Sequence, residues 1–263
     1  MNTITREDTL QMLNKVPEVT LYFWIIKIMA TTVGETAADF LNFDLNFGLT
    51  GTSVVMGILL SVFLLLQIRA RKYVPWLYWV NVVLISIAGT LITDNLVDNF
   101  GVALETTTIA FGLALMATFS LWYVSEKTLS IHTIFTTRRE LFYWAAILFT
   151  FALGTAAGDL VAETMELGYV NSALLFAAAI AAVTFSYYVF KANAVLAFWI
   201  SYILTRPLGA SSGDFLTQPI SNGGLGLGAV ATTGIFLTII LGLVIFLTAT
   251  RRDVVEQSVS GRY

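Results

Sequence analysis

Four aspartates, Asp39, Asp94, Asp159 and Asp214, fall inside strongly apolar stretches, each five residues after a glycine: Gly34, Gly89, Gly154 and Gly209. Carboxylates in such surroundings bind cations, carry protons or pair with buried bases, because an ionisable group at membrane depth costs several kcal/mol unless paired or hydrated. Residues i and i+4 share a helix face. A four-residue step therefore extends each aspartate into a polar stripe: Lys27, Thr31, Glu35 and Asp39; Ser86, Thr90, Asp94 and Asp98; Thr155, Asp159 and Glu163; Arg206, Ala210 and Asp214. Lipid cannot face these stripes. Within the zone they define, five acids (Glu35 and the motif aspartates) meet two bases, Lys27 and Arg206, an excess of three negative charges that calls for protons, water or a bound cation. Carboxylates with the hydroxyls of Thr31, Thr90 and Thr155 suit hard divalent ions such as magnesium, calcium or manganese better than zinc or copper(I). Glu35, Asp39, Asp94, Asp159 and Asp214 are accordingly the candidate metal ligands. The competing reading makes the aspartates hydrated ends of their helices, although negative charge at a helix C-terminus opposes the dipole.

The two bases act as counter-ions in this scheme. Lys27 lies three residues past Trp24, and its stem is long enough to snorkel to the near interface. Arg206 lies seven past Trp199, about 10 Å deep, beside Pro207, which predicts a kink. Its leading buried partner is Glu35, which occurs in the first repeat alone. Other candidates carry little. His132 stands by itself in a basic loop and reads as solvated; "GGLGLG" at 223–228 lacks the Lys-Ser/Thr of a phosphate loop and reads as a flexible turn. No nucleophile–histidine–acid arrangement exists, so an enzyme is not expected, nor a cofactor.

The elements that must position these residues are membrane helices. Of 263 residues, 57% are hydrophobic and 12% charged, with mean hydropathy +0.80. Apolar runs that can cross a layer of about 30 Å are predicted near 21–42, 51–68, 77–97, 105–125, 142–163, 172–190, 195–216 and 226–249. Lysine and arginine occur in the first arm (Arg6, Lys15), at Arg69, Arg71 and Lys72, around Lys127, Arg138 and Arg139, at Lys191 and in the tail, while the alternate connections contain none. The positive-inside rule then places both termini in the cytoplasm. Cysteine is absent, which excludes disulfides and thiolate metal sites. No basic footprint for nucleic acid remains once topology explains the charges. Residues 1–20 lack an apolar core and predict a cytosolic arm; residues 251–263 predict a short disordered tail.

Trp24, Trp79, Trp144 and Trp199 each precede the motif glycine by ten residues and follow an aromatic residue, so W-x9-G-x4-D recurs four times without a gap. The tryptophans are spaced by 55, 65 and 55 residues, giving repeats at 21–76, 77–141, 142–194 and 195–250. With two crossings per unit, all copies point the same way, so the expected fold is all-α: eight transmembrane helices as four parallel two-helix repeats. The tryptophans read as interface anchors. The glycines read as packing surfaces, with Gly158 and Gly213 completing small-xxx-small pairs with Gly154 and Gly209; local unwinding at the glycine is the competing reading. At about 1.5 Å per residue the glycine is about 15 Å from the tryptophan and the aspartate about 22 Å. In these features the chain resembles bacterial membrane proteins of four tandem tryptophan-marked two-helix repeats, a repeat of unknown function. The resemblance implies a bacterial inner membrane and no activity.

The function expected from the residues is transport of a small inorganic cation, in its most concrete form a divalent ion such as manganese, magnesium or calcium coupled to protons, along a path lined by the odd-numbered helices. Two other classes fit the same residues. A carrier of a small organic anion or neutral metabolite would use Arg206 and Lys27 as contacts; a non-transporting scaffold would use the glycine surfaces for subunit contacts. The bilayer is the one partner fixed by composition, and oligomeric state is open.

Overall fold

The computed structural model describes residues 14–254. Most of the predicted arm and the outer part of the tail, with Arg6, lie outside the described residues. Eight long helices follow one another: α1 Leu21–Asp39, α2 Gly48–Arg69, α3 Pro75–Asp94, α4 Leu104–Glu126, α5 Thr137–Asp159, α6 Tyr169–Phe190, α7 Ala194–Thr217 and α8 Ala229–Thr250. No strand occurs among the described residues. The bounds follow the apolar runs closely except at α5, which starts at Thr137 instead of 142 because Thr136 caps it, accepting from the Arg139 amide. Asn193 caps α7 in the same way, and α4, α6 and α8 each stop on a basic residue in the left-handed conformation, Lys127, Lys191 and Arg251.

Seven of these helices are long and apolar enough to cross a membrane. The exception is α1, and its position explains why. It packs on α3, α7 and α8, so Lys27, Thr31 and Glu35 are covered by protein. The odd helices form a closed inner ring: α1 on α3, α3 on α5, α5 on α7, α7 on α1. Even helices wrap it with an offset of one repeat, α2 against α3, α4 against α5, α6 against α7 and α8 back against α1. Their outer faces are bare hydrocarbon, as at Leu174 and Phe190 on α6, which buries only Ser172 and Phe176.

The motif glycines are the contacts of the inner ring. A Cβ on Gly34 would strike Ser86 of α3; on Gly89 it would lie 2.7 Å from Phe151 Cβ of α5; on Gly154 it would strike Arg206 of α7; on Gly209 it would strike Thr31 of α1. In every case the partner stands three residues before the next repeat's glycine, so one contact is repeated four times around an axis. Gly158 and Gly213 continue the seams, against Pro207 and Ala210 and against Glu35 and Thr36. Packing is therefore the role of all six, and the helices run through them without unwinding.

Beyond the aspartate the first three repeats do something different. The α-helix changes to a π-helical turn, Phe40–Asp44, Asn95–Asn99 and Leu160–Thr164, so Asp39, Asp94 and Asp159 each close an α-helical run that continues in wider form. Such turns widen the backbone and recur at functional sites. The fourth repeat lacks one; α7 stays α-helical from Ala194 through Pro207 to Thr217.

Candidate functional site

The fourfold arrangement stacks equivalent residues in levels along the axis of the inner ring. At the aspartate end, Asp39, Asp94 and Asp159 are half-buried and Asp214 is buried. The carboxylates lie within electrostatic reach of one another and of Glu35. Among the described residues none of the four enters an ion pair. They do not close into a metal-ligand set with Glu35: among the described residues no three acidic or histidine side chains converge closely enough to hold a metal ion. Glu35 is about one helical turn deeper and is turned to a base instead.

That base is Arg206. One residue past each glycine stand Glu35, Thr90, Thr155 and Ala210, and the Arg206 guanidinium enters the middle of this level. Nη2 donates to Glu35 Oε2 at 2.9 Å, to Thr155 Oγ1 at 2.6 Å and to Thr90 Oγ1; Nη1 donates to the Thr31 carbonyl at 2.6 Å. One arginine thus ties the other three repeats together. Its stem occupies the space where Gly154 has no side chain, which is why a glycine is required there. Arg206 is completely buried, whereas Glu35 keeps 7% exposure. The expected pairing of Arg206 with Glu35 is present.

Lys27 departs from its expected place. Instead of snorkelling outward it is fully buried. Its Nζ has no hydrogen-bond acceptor and lies 4.0 Å from the centre of the Phe151 ring and 4.2 Å from that of Tyr202. Towards the tryptophan end the axis fills with rings: Phe23, Tyr78, Tyr143 and Tyr202 are at most 1% exposed, and the Tyr78 and Tyr143 hydroxyls share a hydrogen bond of 2.5 Å.

The tryptophans also depart from their expected role as interface anchors. Trp79, Trp144 and Trp199 are buried among these rings, with Trp199 Nε1 donating to the Leu129 carbonyl; Trp24 alone is partly exposed. Each turns to a ring of another odd helix, Trp79 to Phe23, Trp144 to Tyr78 and Trp199 to Tyr143, at centroid distances of 5.6, 5.6 and 6.2 Å. Sequence reasoning missed the aromatic layer, although the doublets "FW", "YW", "YW" and "FW" mark it. It also missed a polar clasp beside it, in which Lys15 Nζ bonds Glu140 Oε2 at 2.6 Å and the Ile68 carbonyl, while Gln67 bonds Glu140 Oε1. His132 has a neighbour after all, Glu18, at 3.5 Å.

A polar axis sealed by aromatic rings and wrapped in bare apolar helices is the build of a multi-pass membrane protein. The chain belongs to the family described as Repeat of Unknown Function (DUF347), whose model matches residues 22–73, 77–128, 142–193 and 197–253, one match per structural repeat. Searches of curated proteins and of solved structures found no match.

Proposed function

We propose that the protein is a transporter that moves a small cation along the axis of the inner ring in exchange for protons, in a bacterial inner membrane with the tryptophan end towards the cytoplasm. Orientation rests on the lysines and arginines of the connections, which among the described residues all lie at that end. One observation carries the functional reading: the axis holds half-buried carboxylates at Asp39, Asp94 and Asp159 and buried ones at Asp214 and Glu35, and is filled below them by Arg206, Lys27 and the aromatic layer. Four carboxylates without basic partners lower the potential of the mouth and concentrate cations there. Glu35 is the first group that an entering cation meets with a rival already bound to it, so cation entry competes with Arg206 for one carboxylate. Proton arrival at Glu35 releases both.

The anion-carrier reading has less support, since Arg206 directs its Nη donors at Glu35, the Thr31 carbonyl and two hydroxyls. The divalent-metal form is also the less supported one, given the missing coordination set. The test is flux into sealed proteoliposomes with manganese, magnesium, calcium or guanidinium outside and a pH dye inside. Cation-dependent proton movement is expected in wild type, lost in Glu35→Gln and weakened in Asp159→Asn. Absence of flux for every cation tried, with both variants as stable as wild type, would leave a static scaffold.

A further inference from the structure

Lys27 Nζ is the one lysine head among the described residues that is fully buried without an acceptor. Two ring faces, Phe151 and Tyr202, hold it at 4.0 and 4.2 Å. Of the oxygens on the same stripes, those of Glu35, Thr90 and Thr155 serve Arg206 and the Thr31 hydroxyl reaches the Thr205 carbonyl at 3.2 Å, while the Tyr202 hydroxyl at the edge of the ring is itself without a partner. Arg206 Cζ stands 6.0 Å from the same Phe151 ring, so one aromatic side chain borders both basic groups. Faces of aromatic rings attract cations that shed water easily, above all ammonium and guanidinium groups, and give a strongly hydrated divalent metal no oxygen to replace its shell.

We infer that the Phe151–Tyr202 cage is the inner cation site of the transport path, occupied here by the tethered head of Lys27, and that its mobile occupant is a small organic cation of the ammonium or guanidinium type. This rests on the transport reading of the axis and narrows its substrate. Lys27 and the substrate compete for one space beside the two rings, so the site holds a single head group at a time. Glu35 and the aspartate level select for positive charge; the cage selects for a soft, planar or alkylated cation.

Radiolabelled guanidinium is the probe, because it stays charged at any working pH. It is offered to proteoliposomes of wild type, Tyr202→Leu and Tyr202→Phe, with manganese uptake measured in parallel. Saturable guanidinium uptake is expected in wild type, lowered about tenfold in Tyr202→Leu, as the loss of a desolvated cation–π contact implies, and largely restored in Tyr202→Phe, which keeps the ring. Lys27→Ala, which vacates the cage, is expected to bind guanidinium more tightly in detergent, a readout independent of flux. Manganese uptake with no guanidinium uptake or competition would overturn the cage and leave the transport reading intact. No uptake of either cation would overturn both. Equal loss in the leucine and phenylalanine variants would show that the ring face is not what binds.

Discussion

Arg206 fixes its position by contacts to three other repeats, and its removal leaves the Glu35 carboxylate buried without a base, with only the Thr90 hydroxyl at 3.5 Å. Breaking a buried pair from one side costs about 3–5 kcal/mol, while replacing both members by apolar groups is often close to neutral. Arg206→Met should therefore destabilise the detergent-solubilised protein strongly, and Arg206→Met with Glu35→Met should recover most of that loss; thermal unfolding of the single and double variants reads this directly. Lys27 presents the opposite case. Its head has no acceptor, so Lys27→Met should raise the unfolding temperature, as expected where stability is given up for function. A lowered unfolding temperature would mean that the two ring contacts outweigh the loss of hydration. The Arg206–Glu35 pair was legible in the sequence, since the ladders placed both inside and offered few alternatives. The aromatic cage was not, because a four-residue ladder shows what lies on one helix and Phe151 and Tyr202 come from two others.

Along the helices, glycine carries two unlike meanings that the sequence alone does not separate. Gly34, Gly89, Gly154 and Gly209 face a neighbouring helix, whereas a Cβ on Gly57, Gly234 or Gly242 would meet nothing within 4 Å. Gly89→Ala should cost about 1–3 kcal/mol through forced separation of α3 and α5, while Gly242→Ala should be neutral or gain up to about 1 kcal/mol of helix propensity. Paired unfolding curves decide it; equal effects would deny the ring packing. A different element effect concerns the tail, where Tyr73 Oη donates to Asp253 Oδ2 at 2.6 Å and the Glu18 amide to the Asp253 carbonyl at 3.0 Å. Burial pushes the Asp253 carboxyl above its ordinary value. Folding then binds a proton more tightly than the unfolded chain does, so its contribution to stability is full below about pH 4 and declines as pH rises towards the folded value. Asp253→Asn should flatten that part of the stability–pH profile. Helix number and span ends were readable from apolar length, but the π-helical turns after Asp39, Asp94 and Asp159 were not, since nothing in a run such as "DFLNFD" announces an i→i+5 bond.

For the whole molecule, the repeat arithmetic foresaw four parallel units and the structure adds that they close. The last even helix packs on the first odd one, and the two ends of the described residues meet where the Glu18 amide donates to the Asp253 carbonyl. A ring with adjoining ends tolerates a change of starting point. A permutant that joins residue 254 to residue 14 by a short linker and opens at the exposed Lys191–Ala194 connection should insert and keep its unfolding temperature within a few degrees; failure to fold would show that repeat order is itself required. The offset of even helices by one repeat was invisible to composition, because a lipid-facing helix of uniform apolarity carries no sign of which neighbour it covers.

On the transport reading the axis is wet from the aspartate end to Glu35 and dry below. Since the chain has no cysteine, single thiols report this cleanly. Asp159→Cys and Ser86→Cys would be exposed in intact cells to a membrane-impermeant thiol reagent. Rapid modification is expected at position 159 and protection at position 86. Protection at 159, or equal modification at both, would contradict it.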